Sequence, residues 1–282
     1  MTMSTSSLLS LARTLDELRD VDPEDAAAVK ACCATAYGFD LVALFLGESY
    51  HPGGANLTRR LADAVDLQPG ERVLDVASGI GSTAVLLATE RGVDVLGVDL
   101  GDAQVFRARE RAALAGLSDR VRFQRGDAER LPVADGGFDA IVCECAFCTF
   151  PDKDVAAAEL ARAIRPGGRI GITDVWLDPD RLDPELRGLA GRVACVADAR
   201  PIDELTAIIE GAGLTVTNVQ RHDAVLHEAI DRVTMRLRAL RLLDLPLLRR
   251  FNLIHGITLA KRVAKTVEDG NAGYLLLTAT KP

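Results

Sequence analysis

Aromatic side chains are scarce in this sequence. Trp, Tyr and Phe together make up 4% of the 282 residues, so a core of any size must be built from Ala, Val, Leu and Ile, as where helices pack on buried aliphatic strands. Long apolar runs are also missing: none reaches the roughly 18 residues of a membrane helix. Met1 to Ser10 lack the basic start and apolar centre of a secretory leader, so the expectation is a cytoplasmic protein with no membrane partner. Positive charge is in deficit, with 33 Lys and Arg against 41 Asp and Glu, a formal charge of −8. That argues against a nucleic-acid partner, which needs a concentrated basic face, and suits a cationic or neutral small molecule. The six cysteines, Cys32, Cys33, Cys143, Cys145, Cys148 and Cys195, cluster unevenly, which favours reduced thiols over a disulfide framework.

What is present is an alternation. Val73 to Val76, Val93 to Val98, Val121 to Gln124, Ala140 to Val142 and Ile170 to Thr173 are short aliphatic runs that read as buried strands. Helical stretches at Thr83 to Arg91, Ala103 to Ala115 and Val155 to Ala163 separate most of them. Such alternation predicts a doubly wound α/β fold with a mainly parallel sheet, because parallel neighbours need crossover connections. Before it, Leu8 to Leu46 has helical spacing, with Asp22-Pro23-Glu24-Asp25 setting a helix start at Ala26, and Ala55 to Val65 reads as another helix. After it come the amphipathic run Ile202 to Ala212, a strand at Leu214 to Val219, about fifty residues of Leu- and Arg-rich helical pattern including Leu237 to Leu248, and a last strand at Tyr274 to Thr280.

The chemistry-bearing run is Val73-Leu74-Asp75-Val76-Ala77-Ser78-Gly79-Ile80-Gly81-Ser82-Thr83-Ala84, a strand, a glycine turn and a helix start. Glycines there let the backbone turn sharply and approach a ligand with no Cβ in the way. Asp99 ends the next strand, where a carboxylate can accept from two ribose hydroxyls. Gly79, Gly81 and Ala84 also satisfy G-x-G-x-x-G/A, so an NAD-dependent oxidoreductase and a catalytically silent cofactor-binding module are both open readings of this run. The acidic Asp75 inside the strand-to-loop transition departs from the usual dinucleotide pattern.

Three further runs narrow the choice: Gly126-Asp127-Ala128-Glu129-Arg130-Leu131-Pro132, Phe138-Asp139-Ala140-Ile141-Val142 and Arg165-Pro166-Gly167-Gly168-Arg169. With Leu74 to Gly81 and Asp99 they resemble the motif series of class I S-adenosylmethionine-dependent methyltransferases. The resemblance runs from about Leu61 to Pro282, with four spaced motifs in order. It implies a Rossmann-like seven-stranded sheet in the order 3-2-1-4-5-7-6 with strand 7 antiparallel, and S-adenosyl-L-methionine as cofactor. Asp75, Ala77, Ser78, Gly79 and Gly81 would line its methionine and ribose parts. Asp99 with Leu100 would hold the ribose, Asp127 with Ala128 would face the adenine, Cys143 would border the site, and Tyr37 would close over it. The resemblance divides the chain into an N-terminal helical lid or substrate region, 1–60, and a methyltransferase domain, 61–282. The helical insertion 223–270 departs from the minimal fold and is a candidate substrate cap or homodimer surface.

Methyl transfer is a direct displacement in which alignment supplies much of the acceleration, and a base is needed only when the acceptor carries a proton. The candidate catalytic residues are Glu144 and Asp174 after strands 4 and 5, His51 in the glycine-rich loop, and Cys195; His255 is a further polar candidate, and Tyr50, like Tyr37, would close over the cofactor. The acceptor is expected to be a small molecule with an oxygen, nitrogen or carbon nucleophile. The run from Cys145 to Lys153, with Ala194 to Ala199, also resembles arsenite methyltransferases, in which a cysteine at the place of Cys195 helps hold trivalent arsenic. Those enzymes draw further thiols from a later segment, and here no cysteine follows Cys195.

Overall fold

The computed structural model describes residues 25–38, 51–187, 191, 195–242 and 253–282. In chain order the elements are α1 (Ala26–Gly38), α2 (Gly54–Ala64), β1 (Arg72–Val76), α3 (Ser82–Arg91), β2 (Asp94–Asp99), α4 (Asp102–Leu114), β3 (Val121–Arg125), β4 (Phe138–Glu144), α5 (Lys153–Ala163), β5 (Ile164–Leu177), α6 (Ile202–Gly211), β6 (Thr215–Arg221), α7 (Asp223–Leu242), α8 (Leu253–Glu268) and β7 (Ala272–Thr280). The strands form one sheet, β3-β2-β1-β4-β5-β7-β6. The first five run parallel, and β7 is antiparallel to both β5 and β6.

Alternation along the strands divides the core into two faces. Val73, Val95, Phe123, Val142, Val175 and Tyr274 pack with α2, α3 and α4. Leu74, Val98, Ile141, Cys143, Ile172 and Leu275 pack with α5 and α6. Both sets are buried, so parallel strands between two helical layers read as continuous aliphatic runs. Edge strand β6 has no buried residue.

Local signals set the boundaries. Asp152 caps α5 by accepting the Val155 amide at 3.0 Å, and Gly92 ends α3 in the left-handed conformation. β5 begins earlier than the aliphatic run suggested. Arg165-Pro166-Gly167-Gly168 lies within the strand as an irregularity, with Gly167 at φ +71°. The insertion 223–270 consists, where described, of α7 and α8, packed on each other and, through Leu226 and Val267, on the α2–α4 face. The helical readings at Leu8 to Leu46 and Leu237 to Leu248 fall partly outside the described residues, as do Tyr50 and the side chains of Cys32 and Cys33.

Candidate active site

Beyond the carboxyl ends of β1, β2 and β4 lies the point where the strand order reverses, between β1 and β4. The crevice there is where open α/β sheets take ligands. It holds about 1120 Å³ of space outside protein atoms and is roofed by Lys30, Ala34 and Tyr37 of α1. Eleven of the residues expected from the sequence line it: Tyr37, His51, Asp75, Ala77, Ser78, Gly79, Asp99, Leu100, Asp127, Ala128 and Glu144.

The glycine turn shapes its floor. Ala77, Gly79 and Gly81 have φ of +57°, +53° and +78°. A Cβ on Gly81 would come within 2.6 Å of the Phe123 ring. Asp99 accepts the Gly79 amide at 2.8 Å on one oxygen and the Gly101 amide at 2.9 Å on the other. Burial raises its carboxyl above the usual range, and these amides partly offset that. Asp127 accepts the Glu129 amide at 2.9 Å and the Lys30 ammonium at 2.8 Å, and Lys30 also pairs with Glu129. Burial lowers the Lys30 pKa, but hydrogen bonds to the two carboxylates outweigh it and hold the ammonium above its ordinary range.

Deeper in the crevice, Glu144 is held by three threonines. Thr83 and Thr58 donate to Oε2 at 2.6 and 2.9 Å, and Thr173 to Oε1 at 3.3 Å. His51 Nε2 lies 3.5 Å from Oε2, and its Nδ1 lies 3.1 Å from the Pro52 carbonyl.

Four expected residues do not line the crevice. Strand alternation removes two of them. Cys143 and Asp174 fall on the opposite side of the sheet from Glu144 and Thr173. Asp174, 1% exposed, accepts the Cys148 amide at 2.8 Å, so it orders the loop after β4 and does not line the crevice. Gly81 turns the backbone into α3 from beneath. Cys195 lies behind Tyr37, whose hydroxyl is 3.1 Å from its sulfur, and its thiol is 3.8 Å from the Cys145 carbonyl. Hydrogen bonds from Cys145, Cys148 and Tyr37 pull the Cys195 thiol well below its usual range, against burial. The thiols do meet, yet among the described residues no group of three His, Cys, Asp or Glu side chains is arranged to hold a metal ion. His255 is 3.9 Å from Glu185, also away from the crevice.

Sequence reasoning missed Lys30, Gln104, Thr58 and Thr83. Gln104 donates to the Ala34 carbonyl at 2.7 Å and so ties α1 to α4. A lone Lys, Gln or Thr on a helix carries no signal of where it points. Only the capping-like position of Thr83, just after the glycine turn, gave a hint.

A crevice at the switch point of such a sheet, with a glycine turn and an acid ending β2, defines an enzyme built to hold a nucleoside-bearing cofactor. The chain belongs to the methyltransferase-domain family, whose model matches residues 67–213. It is 34% identical to methyltransferase GfsG of Streptomyces halstedii, over 81% of each chain. It is 31% identical to the 27-O-demethylrifamycin SV methyltransferase of Amycolatopsis mediterranei, over 86% of this chain and 93% of the relative. An arsenite methyltransferase of Halobacterium salinarum is 35% identical over 56% of this chain and 40% of the relative. The structure of Haemonchus contortus phosphoethanolamine N-methyltransferase 2 in complex with S-adenosyl-L-methionine superposes with a TM-score of 0.74 at 21% identity, over 93% of this chain and 60% of that one, a likeness of fold. The chain is an S-adenosylmethionine-dependent methyltransferase of small molecules.

The crevice fits that cofactor. Among the described residues Asp75 Oδ2 and Ser78 Oγ are buried without a hydrogen-bond partner, which leaves the carboxyl oxygen to take a donor or a positive charge and the hydroxyl to donate or accept. Each Asp99 oxygen carries one amide and keeps a lone pair for a hydroxyl. No helix among the described residues is long and apolar enough to cross a membrane.

Proposed function

We propose that the chain methylates a hydroxyl oxygen of an organic small molecule, with His51 as general base and Glu144 as its charge partner. The observation that carries this reading is the His51–Glu144 pair, 3.5 Å apart on the wall of the cofactor crevice. Bound in the crevice, the cofactor supplies a methyl group on a sulfonium that departs as a neutral thioether. A hydroxyl is a weak nucleophile until its proton is removed, so a base at this position has work that an amine acceptor would not need done.

In this reading Nδ1 donates to the Pro52 carbonyl, 3.1 Å away, and Nε2 is the basic nitrogen. As the acceptor oxygen forms its bond to carbon, its proton passes to Nε2. The imidazolium then lies between the Pro52 carbonyl and the Glu144 carboxylate. Thr58, Thr83 and Thr173 donate to that carboxylate and fix its position. Asp75, Ser78, Gly79 and Asp99 would hold the methionine and ribose parts of the cofactor, and Asp127 and Ala128 the adenine. The similarity, over 86% of this chain, to a methyltransferase named for 27-O-demethylrifamycin SV supports the choice of oxygen.

In the same reading, α1 forms part of the lid within region 1–60, and the α7–α8 hairpin within 223–270 is a substrate cap or homodimer surface. The enzyme works in the cytoplasm, on a small molecule and not on nucleic acid, in keeping with its charge of −8.

The test is His51→Gln, assayed for transfer from labelled cofactor to pooled hydroxyl, amine, carbon-acid and arsenite acceptors. The expected result is hydroxyl methylation that falls by about 10²–10⁴ in kcat, with cofactor affinity unchanged and partial rescue by added imidazole. Full activity in the variant, or transfer to arsenite in preference to every organic acceptor, overturns the reading.

A further inference from the structure

Parallel register places three carboxylates together. Asp75 of β1 is paired with Gly97 of β2 and with Val142 of β4. Paired residues share a face, and so do residues two apart on one strand. Asp99 and Glu144 are therefore the next side chains beyond Asp75 on its own side of the sheet.

The three are not equally provided for. Glu144 has its three threonines and His51, and Asp99 has two backbone amides. Asp75 is 2% exposed and faces the Ala84 amide from α3, but its Oδ2 has no partner. The groups around it are Glu144 and Cys143 from β4 and Asp99 from β2, none of which brings a positive charge. From α1, Lys30 lines the same crevice but is committed to Asp127 and Glu129.

A buried carboxylate beside two others, with an oxygen that accepts nothing, is unfavourable as an ion and favourable as an acid. We propose that Asp75 is protonated in the cofactor-free chain and releases that proton to solvent when the positively charged cofactor enters, so that binding and ionisation are one linked event. The O–H bond of Asp75 breaks, the proton passes to buffer, and the carboxylate remains as counter-charge to the incoming cation. Burial, with Glu144 and then Asp99 adding to it, holds the Asp75 carboxyl well above its ordinary range, in keeping with the geometry. One consequence is directional: cofactor affinity falls as pH is lowered, by about tenfold per unit while Asp75 stays protonated.

The experiment is calorimetry of S-adenosylmethionine binding to the full chain at pH 7 in two buffers of different ionisation enthalpy, which counts protons released. The wild type should release roughly one proton per cofactor bound. Asp75→Asn should release most of a proton less, while Asp174→Asn, outside the crevice, should keep the wild-type count. No release by the wild type, or an undiminished count in Asp75→Asn, overturns the proposal. Should Asp75→Asn fail to fold or bind, the infrared difference spectrum of the wild type decides. A protonated-carboxyl band that disappears on binding and shifts with ¹³C-aspartate labelling supports the linkage, and its absence, or insensitivity to the label, overturns it. Neither readout requires methyl transfer, so the outcome is independent of the role given to His51.

Discussion

Asp174 shows what a single buried carboxyl does to stability. It accepts the Cys148 amide at 2.8 Å and its neighbour Val175's at 2.7 Å, yet burial pushes its pKa up to about 6. In the unfolded chain it titrates near 3.9. Between those values the folded state holds a proton that the unfolded state has lost. The contribution is therefore fully present below about pH 4 and is lost as pH rises through about 6, on the order of 3 kcal/mol. Urea denaturation from pH 4 to 7 should show stability declining across that window, and Asp174→Asn should flatten the decline. A variant with the wild-type slope would assign the titration to another group.

Among the elements, the junction of β5, β6, β7 and α7 depends on one side chain. Asp223 opens α7. Its Oδ1 accepts the Trp176 indole N–H at 3.0 Å and the Tyr274 amide at 3.1 Å, and its Oδ2 accepts from Arg221 at 2.9 Å. The Arg221 guanidinium in turn lies over the Trp176 ring, 4.5 Å from its centroid. Asp223→Ala leaves an indole N–H and a strand amide without acceptors, a loss of about 1–3 kcal/mol. Trp176 is the chain's one tryptophan, so its fluorescence should report both a lower urea midpoint and a shifted native emission. An unchanged midpoint would mean that the hairpin is anchored elsewhere, through Leu226 and Val267.

For the molecule as a whole, the question is whether the α7–α8 hairpin serves the sheet or the substrate. Of its buried side chains Leu226 and Val267 lie near its two ends and Thr234 and Ile257 further along the helices, while Met235, Leu242 and Ile254 are largely exposed. Replacing 231–263 with a short Gly-Ser linker keeps Asp223, Leu226 and Val267 in place. Cofactor affinity should stay within about twofold and turnover of the organic acceptor should drop, as expected when remote binding energy serves catalysis. Loss of cooperative unfolding would show instead that the hairpin belongs to the fold.

The sheet order came only with the family resemblance, whereas the residues by themselves determined the strand cores and the glycine turn and acids that line the crevice. Those depend on local signals: aliphatic runs too short for helices, a glycine turn after Asp75, and an acid at the end of β2. Tertiary structure alone decided which face each residue of β4 and β5 presents. Glu144 and Asp174 read alike in sequence, as acids ending successive strands, but the register that pairs Glu144 with Thr173 sends Asp174 to the other side. It also decided that Thr58, Thr83 and His51, contributed by α2, α3 and the loop before α2, meet on Glu144, and that Lys30 reaches Asp127 across 97 residues of chain. No local periodicity encodes such meetings, because they are fixed by helices docking on a sheet whose twist and register arise from the packing of the whole core.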